Sequence, residues 1–276
     1  MLQILRAWRV QTYLDFLFLT RDRRNSSFYM IADVILTVAG ITGVLLLAER
    51  FGGIGAWNRP QIVFMLGFAS LAMIMSQGLF GMNVLWISRR IGRGQLDHLL
   101  IQPRPLWKSL LTEGFIPVSM GPGLIPGIGL MAWSWNAVSI QTGPAWWAAF
   151  ALNLVAAIAV ITSFSYIWGS LAFWAPAGAE EISSSALRLI SELKPFPLDG
   201  MGRTLKSGLL SIIPAGFIAW YPVGALLGLR TTDYALLFTP LAALIMSGLA
   251  AIVFNRGLAH YARTGSQRYL DFGHRR

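Results

Sequence analysis

Long apolar stretches alternate along this chain with short polar pieces that are mostly basic. A helix crosses the hydrocarbon core of a bilayer with about twenty apolar residues. By that measure spans are expected at 28–49 (FYMIADVILTVAGITGVLLLAE), 61–87, 109–135, 144–173 and 234–254 (YALLFTPLAALIMSGLAAIVF). Residues 174–232 are harder to read. The piece 209–229 (LLSIIPAGFIAWYPVGALLGL) is apolar enough to span, which would make 175–206 a linker. Alternatively 175–194 is a partly polar span, although it carries Glu180, Glu181, Arg188, Glu192 and Lys194. In that case 197–229 folds back on the outer side, broken at Pro214 and Pro222. Hydropathy favours the first reading, because a charge at a helix centre costs about 2.5–3.5 kcal/mol to insert. Either way the chain crosses an even number of times, six in all.

Two stretches depart from a plain apolar run. The third span holds Pro117, Pro122 and Pro126 among glycines. Proline removes a backbone donor, and the carbonyls it frees must find partners in protein or water. A packing kink with close helix contact, or a hinge, is expected there. The N-terminal residues 1–27 set Leu5, Trp8, Phe16 and Leu19 among Arg6 and Arg9, a pattern for a helix lying in the interface. Asp15 is the misfit, because it falls near the apolar side.

Composition supports the membrane reading. Only 12% of the 276 residues are charged, against about 25% in an ordinary soluble domain. The net charge of +10 sits beside apolar runs, as at the cytoplasmic face of a membrane protein, and does not indicate nucleic acid. Lys and Arg number five in 1–27, two in 50–60, five in 88–108, none in 136–143 and five in the tail 255–276. That alternation puts both termini and the 88–108 loop on the cytoplasmic side of the inner membrane. Tryptophans near the span ends, among them Trp57, Trp86, Trp107, Trp133, Trp146, Trp147 and Trp174, suit the headgroup level.

Several chemistries are excluded. There is no cysteine, so disulfides and thiolate sites are out, and His98, His260 and His274 lie too far apart in sequence to make a metal-ligand spacing. None of the three lysines lies in a phosphate-cradling G-x-x-x-x-G-K-[ST] frame, and neither G-x-S-x-G nor H-E-x-x-H occurs. The chain is not expected to be an enzyme.

The insert SRRIGRGQLDHLLIQPRPLWK, 88–108, is the most specific feature. Leu96, Leu99 and Leu100 fall at i, i+3 and i+4, which gives a short helix one apolar face. Gly92 and Gly94 sit at its start, Asp97 lies in the first turn where it suits the helix dipole, and Pro103 and Pro105 end it. From the residues alone, this is equally a loop helix packed on the protein's own surface or a docking element for a cytosolic partner.

The stretch GQLDHLLIQPRPL resembles the first cytoplasmic loop of the type-two ATP-binding cassette (ABC) permeases, with a small residue, Leu-Asp, Leu-Leu and Pro in order. FPLDGMGRTLKSGLLSIIPAGFIAWYPVGALLG, 196–228, resembles the segment before the last span in the same family. The nearest subgroup is that of permeases encoded with a second permease and an ATPase. The resemblance implies a single all-α transmembrane domain over 1–276. Its six helices are accompanied by the interfacial helix 1–27, a coupling helix in 88–108, an outer-face hairpin at 197–229 and the cytoplasmic tail 255–276. It favours 175–194 as the fifth span. It implies pairing with an identical or related permease, and a cytosolic ATPase that binds ATP and magnesium, while this chain holds no cofactor. ATPase docking then falls to Leu96, Asp97, Leu99, Leu100 and Pro103, with Arg93 and Arg104 at the rim. The reaction implied is export driven by the partner's ATP.

Ionisable groups in apolar context are the remaining candidates. These are Asp33, Glu113, Glu180 and Glu181. Glu113 is expected to pair with Lys108 or an arginine, and Asp33 with Arg23 or Arg24. Gln77 and Asn83 read as interhelical hydrogen-bond glue. Such acids would matter most in the alternative reading, a secondary transporter driven by an ion gradient. A membrane-anchored assembly factor without transport is the third.

Overall fold

The computed structural model describes residues 2–50, 55–81, 83–138, 140, 142–199, 201–230, 232 and 234–265, with the side chains of 2–4, 33, 47 and 48 excepted. No strand occurs among the described residues. The helices are α1 (Leu2–Arg21), α2 (Arg23–Arg50), α3 (Arg59–Phe80), α4 (Ile87–Gly92), α5 (Gln95–Leu100), α6 (Leu106–Thr112), α7 (Gly121–Val138), α8 (Pro144–Gly169), α9 (Pro176–Leu193), α10 (Arg203–Ser211), α11 (Trp220–Leu226) and α12 (Ala235–Thr264).

Their ends follow from local sequence. Asp22 opens α2, accepting from the Asn25 backbone N–H at 3.2 Å and from its side-chain amide at 2.6 Å. Asn58 and Gln61 form a reciprocal capping box at the start of α3, with Pro in its first turn. Pro144 begins α8, where its missing N–H has no partner to lose.

Among the described residues, four helices are long and apolar enough to cross a membrane: Arg23–Leu46 within α2, α3, the continuous Pro144–Phe173 and α12. A fifth is added if Arg203–Ser211 and Pro214–Leu226, bent by 70° to each other, count as one span. Three of the expected crossings differ from a plain helix. The second, expected over 61–87, ends at Phe80, where Gly81 takes a positive φ that closes the helix. The third, expected over 109–135, is broken between α6 and α7 across 113–120, where Pro117 cannot donate to a helix. The backbone groups freed there find protein partners. Ile116 N–H donates to the Gly78 carbonyl at 2.8 Å, and Val118 N–H and Ser119 N–H donate to the Asp15 carboxylate at 2.8 and 3.0 Å. The other difference is 175–194, which does form a helix, α9, but an amphipathic one. Pro176, Ala179, Ser183 and Ile190 make its buried stripe, and Glu181, Arg188 and Glu192 lie on its more open side.

Helix α3 is the axis of the main core. Ile62, Phe64, Met65, Leu66 and Phe68 are buried against α7, α8 and α11. Glycines set the approach of α7 to α3: a Cβ on Gly67 would meet the Gly127 carbonyl oxygen at 2.8 Å. Gly81, at φ +59°, ends α3, and a Cβ on Gly114 would lie 2.5 Å from its Cα.

Helix α12 packs along α8. Pro240 lies inside α12 and leaves the carbonyl of Leu236 without its intrahelical donor. Asn153 of α8 supplies one, its side-chain amide donating to that carbonyl at 3.2 Å. Ser163 and Ser247 bond across the same pair at 2.9 Å, and Ser76 of α3 meets Thr162 at 3.2 Å. These are interhelical polar contacts between small side chains, as membrane helices use.

A second, smaller core gathers Ile87, Ile91, Leu96, Leu106 and Leu110 with Phe173, Phe254 and Tyr261. It roots the loop that joins α3 to α7.

Candidate functional site

The segment from α4 to α6 is a compact three-helix turn anchored on several sides. Gly94, at φ +68°, makes the reversal from α4 into α5, a backbone region that favours glycine. Leu96 is then turned fully inward, at 0% exposure, and Leu99 is partly buried beside it. Asp97 lies in the first turn of α5 and accepts from the Tyr261 hydroxyl of α12 at 2.8 Å. Tyr166 of α8 donates to the Trp107 carbonyl at 3.2 Å.

The twin arginines of α4 diverge. Arg89 donates through Nε to Glu180 of α9 at 2.6 Å and stacks on Trp86 at 4.3 Å. That bond raises the Arg89 guanidinium above its ordinary pKa, so it stays charged. Arg90 pairs with Glu113, just past α6, at 2.7 Å. Asn83 joins the second pair, accepting from Arg90 at 3.5 Å and donating to the Leu110 carbonyl at 3.3 Å. Glu113 thus takes an arginine, not Lys108. The acids at the membrane edge divide accordingly: Glu113 and Glu180 are held in ion pairs, Glu181 is exposed, and the Asp33 side chain lies outside the described residues.

What faces outward is the far tip of the loop. Leu100 is 36% exposed and Ile101 81%, the most exposed large apolar side chain among the described residues. Arg93, Pro103 and Arg104 are exposed around them. Leu96, by contrast, packs into the protein's own core and anchors the turn. Two participants had no part in the sequence reading. Ile101 had a signal, an apolar residue stranded between the leucine pattern and the prolines. Tyr261 falls in the stretch read as a tail, 255–276, yet α12 runs on to Thr264 and keeps Phe254, Gly257 and Tyr261 buried on one side. Residues 266–276 of that tail lie outside the described residues.

A second polar cluster sits at the opposite end of α3. Asp199 accepts from the indole N–H of Trp57 and from that of Trp220 at 2.8 Å. Arg230 approaches the same carboxylate at 3.7 Å and Lys206 at 3.9 Å. Arg230 lies over the Trp220 ring at 3.9 Å. Burial lowers its guanidinium pKa, and Asp199 acts in the opposite sense. Trp57 is only 2% exposed, a buried strut of this cluster.

No curated protein and no solved structure matches the chain. A family model, that of the ABC-2 family transporter protein, matches residues 34–265. Those residues span α2 to α12, including the α4–α6 turn and the polar cluster around Asp199. The chain therefore belongs to the ABC-2 transporter family, as a multi-pass membrane permease subunit.

Proposed function

We propose that this chain is half of the membrane unit of an ATP-driven exporter, and that the tip of its α4–α6 turn is where a cytosolic ATPase docks. The ATP and magnesium belong to that partner, and a second permease, identical or related, completes the unit. In this reading both termini and the 88–108 loop face the cytoplasm of the inner membrane, as the count of basic residues favours. The chain crosses six times: α2, α3, the broken α6–α7 pair, α8, α9 and α12. The bent segment from α10 to α11 is then the outer-face hairpin, and the polar face of α9 meets the partner permease or an aqueous path.

One observation carries the docking role. A loop that only covered the protein's own surface would bury its apolar face. Here Leu96 and Leu99 do so, while Leu100 and Ile101 stand clear at a tip whose root is fixed to other helices. Arg93 and Arg104 flank that tip, with Asp97 held by Tyr261 behind it. The secondary-transporter alternative needs acids free to exchange a proton or ion, and Glu113 and Glu180 are instead held by arginines.

The test is co-purification. Leu100→Asp or Ile101→Asp is expected to abolish recovery of the ATPase with the tagged permease while membrane insertion stays normal. Burying either side chain against a partner is worth about 1.5–3 kcal/mol, and the substitution adds the cost of a buried charge. Undiminished recovery with both variants would rule out this docking surface. Accumulation of cargo in inverted vesicles, dependent on ATP and unaffected by collapse of ion gradients, is the expected sign of export.

A further inference from the structure

Helix α1 does more than lie against the bundle. Its Asp15, only 6% exposed, grips the backbone of Val118 and Ser119 in the break before α7, and its Trp8 stacks on Phe115 at 4.9 Å. Between α1, the first turns of α2 and the Ile116–Pro122 stretch lies an open cavity of about 530 Å³. That lies within the roughly 300–1,000 Å³ of ligand-binding cavities. Its wall is mostly apolar, built from Leu14, Phe18 and Leu19 of α1, Met30 of α2, and Ile116 and Pro122. Asp15 also lines it but is saturated by the donors just named and by the Ser119 hydroxyl.

The elbow between α1 and α2 carries Arg21, Arg23 and Arg24. All three are exposed, and among the described residues none of them makes an ion pair. They fall between cavity-lining residues on both sides, Leu19 before and Ser26 after, within about one helical turn of each. An apolar slot beside three exposed arginines that outnumber the one acid among them, Asp22, on a helix whose pattern suits the membrane interface, has the chemistry of one occupant. We infer that this cavity seats an acyl chain of an anionic phospholipid whose phosphate lies on the Arg21–Arg24 elbow. The lipid fills the space between α1 and the break in the third span, so that the membrane itself completes the packing there. This site stands apart from the ATPase-docking tip and does not depend on it.

Photolabelling of the full chain, purified with its associated subunits and placed in nanodiscs, tests the assignment. The probe is phosphatidylglycerol with a diazirine in its acyl chain, compared with phosphatidylcholine bearing the same chain. Adducts are expected to concentrate on residues 11–30 and 116–122. Each arginine near an anionic headgroup is worth about fivefold in affinity, so the glycerol lipid is expected to label roughly tenfold or more above the choline lipid. The triple variant Arg21→Gln, Arg23→Gln, Arg24→Gln should bring the two probes level. Leu14→Trp, at a half-exposed position that tolerates bulk, should cut labelling of the cavity by both. Leu244→Trp, on the open face of α12, should change neither. Equal labelling by the two lipids of the unaltered chain would overturn the inference. So would adducts spread evenly over α2 and α12, or no adducts within the cavity.

Discussion

At the scale of single residues, two carboxylates organise regions far apart in sequence, and neither advertised its role. Asp15 read as a flaw in an amphipathic pattern. It is instead the acceptor that makes a broken span tolerable, because it takes two backbone donors that lipid could not satisfy. A misplaced charge on an apolar face is thus a usable signal, but its partner lies 103 residues away and no periodicity names it. Asp199 gave no signal at all. It is one acid in a polar turn, and its indole donors lie 142 residues before it and 21 after it. Its substitution has a clear expected outcome. Asp199→Ala strands two indole N–H groups and leaves Arg230 without its counter-charge. Each buried donor left unpaired costs about 1–3 kcal/mol. The variant is expected to lose thermal stability in detergent, with a shift in tryptophan emission as Trp57 and Trp220 lose their acceptor. Asp199→Asn keeps an acceptor and should lose less. Equal melting of Asp199→Ala and the unaltered protein would mean the cluster holds nothing together.

At the scale of elements, hydropathy located helices well where the run was both apolar and free of proline, as in α2, and along α3 and α8 after their opening prolines, although α3 stops at Phe80, short of the expected 87. Over the third span hydropathy alone drew an unbroken run, because it scores the side chain and ignores the missing backbone donor of Pro117; the prolines themselves pointed to the interruption. Pro240 is the instructive contrast, since it sits inside α12 without breaking it. The difference is the neighbour: Asn153 replaces the lost donor to the Leu236 carbonyl. That pairing can be measured. Asn153→Leu leaves the carbonyl unpaired between α8 and α12 and should destabilise the fold by about 1–3 kcal/mol. Pro240→Ala restores an N–H at the right place for an intrahelical bond. In the double variant the cost of Asn153→Leu should shrink, giving a coupling of about 1 kcal/mol in a double-mutant cycle. Strict additivity in denaturant unfolding would show that Asn153 acts through packing alone.

At the scale of the whole molecule, the proposed docking role raises the question of how movement at one small tip would reach the spans. The leucine pattern of 88–108 revealed a short helix with one apolar face, but a periodicity fixes only which residues share a face. Which way the face looks is set by Tyr261, 164 residues from Asp97, and that pairing was not legible in the sequence. The turn is connected at four places: to α12 through Asp97, to α8 through Trp107 and Tyr166, to α9 through Arg89 and Glu180, and to the start of the broken third span through Arg90 and Glu113. Of these, the last has the most leverage, because it meets the span at the stretch where its helix is interrupted and where Gly81 and Gly114 touch backbone to backbone. A push on α4 that reached Glu113 would therefore act at the point of least helical stiffness. Arg90→Glu places like charges side by side at a half-buried site, and is expected to leave ATPase binding intact while ATP hydrolysis no longer produces transport. The exchange Arg90→Glu with Glu113→Arg rebuilds the pair in reverse and should recover a large part of the transport, although Asn83 then faces the wrong charge. Binding, hydrolysis and transport need to be read separately, because loss of all three would mean only that the turn had come apart. Loss of transport alone, with recovery in the exchanged pair, is the pattern that a mechanical link produces and a purely structural contact does not.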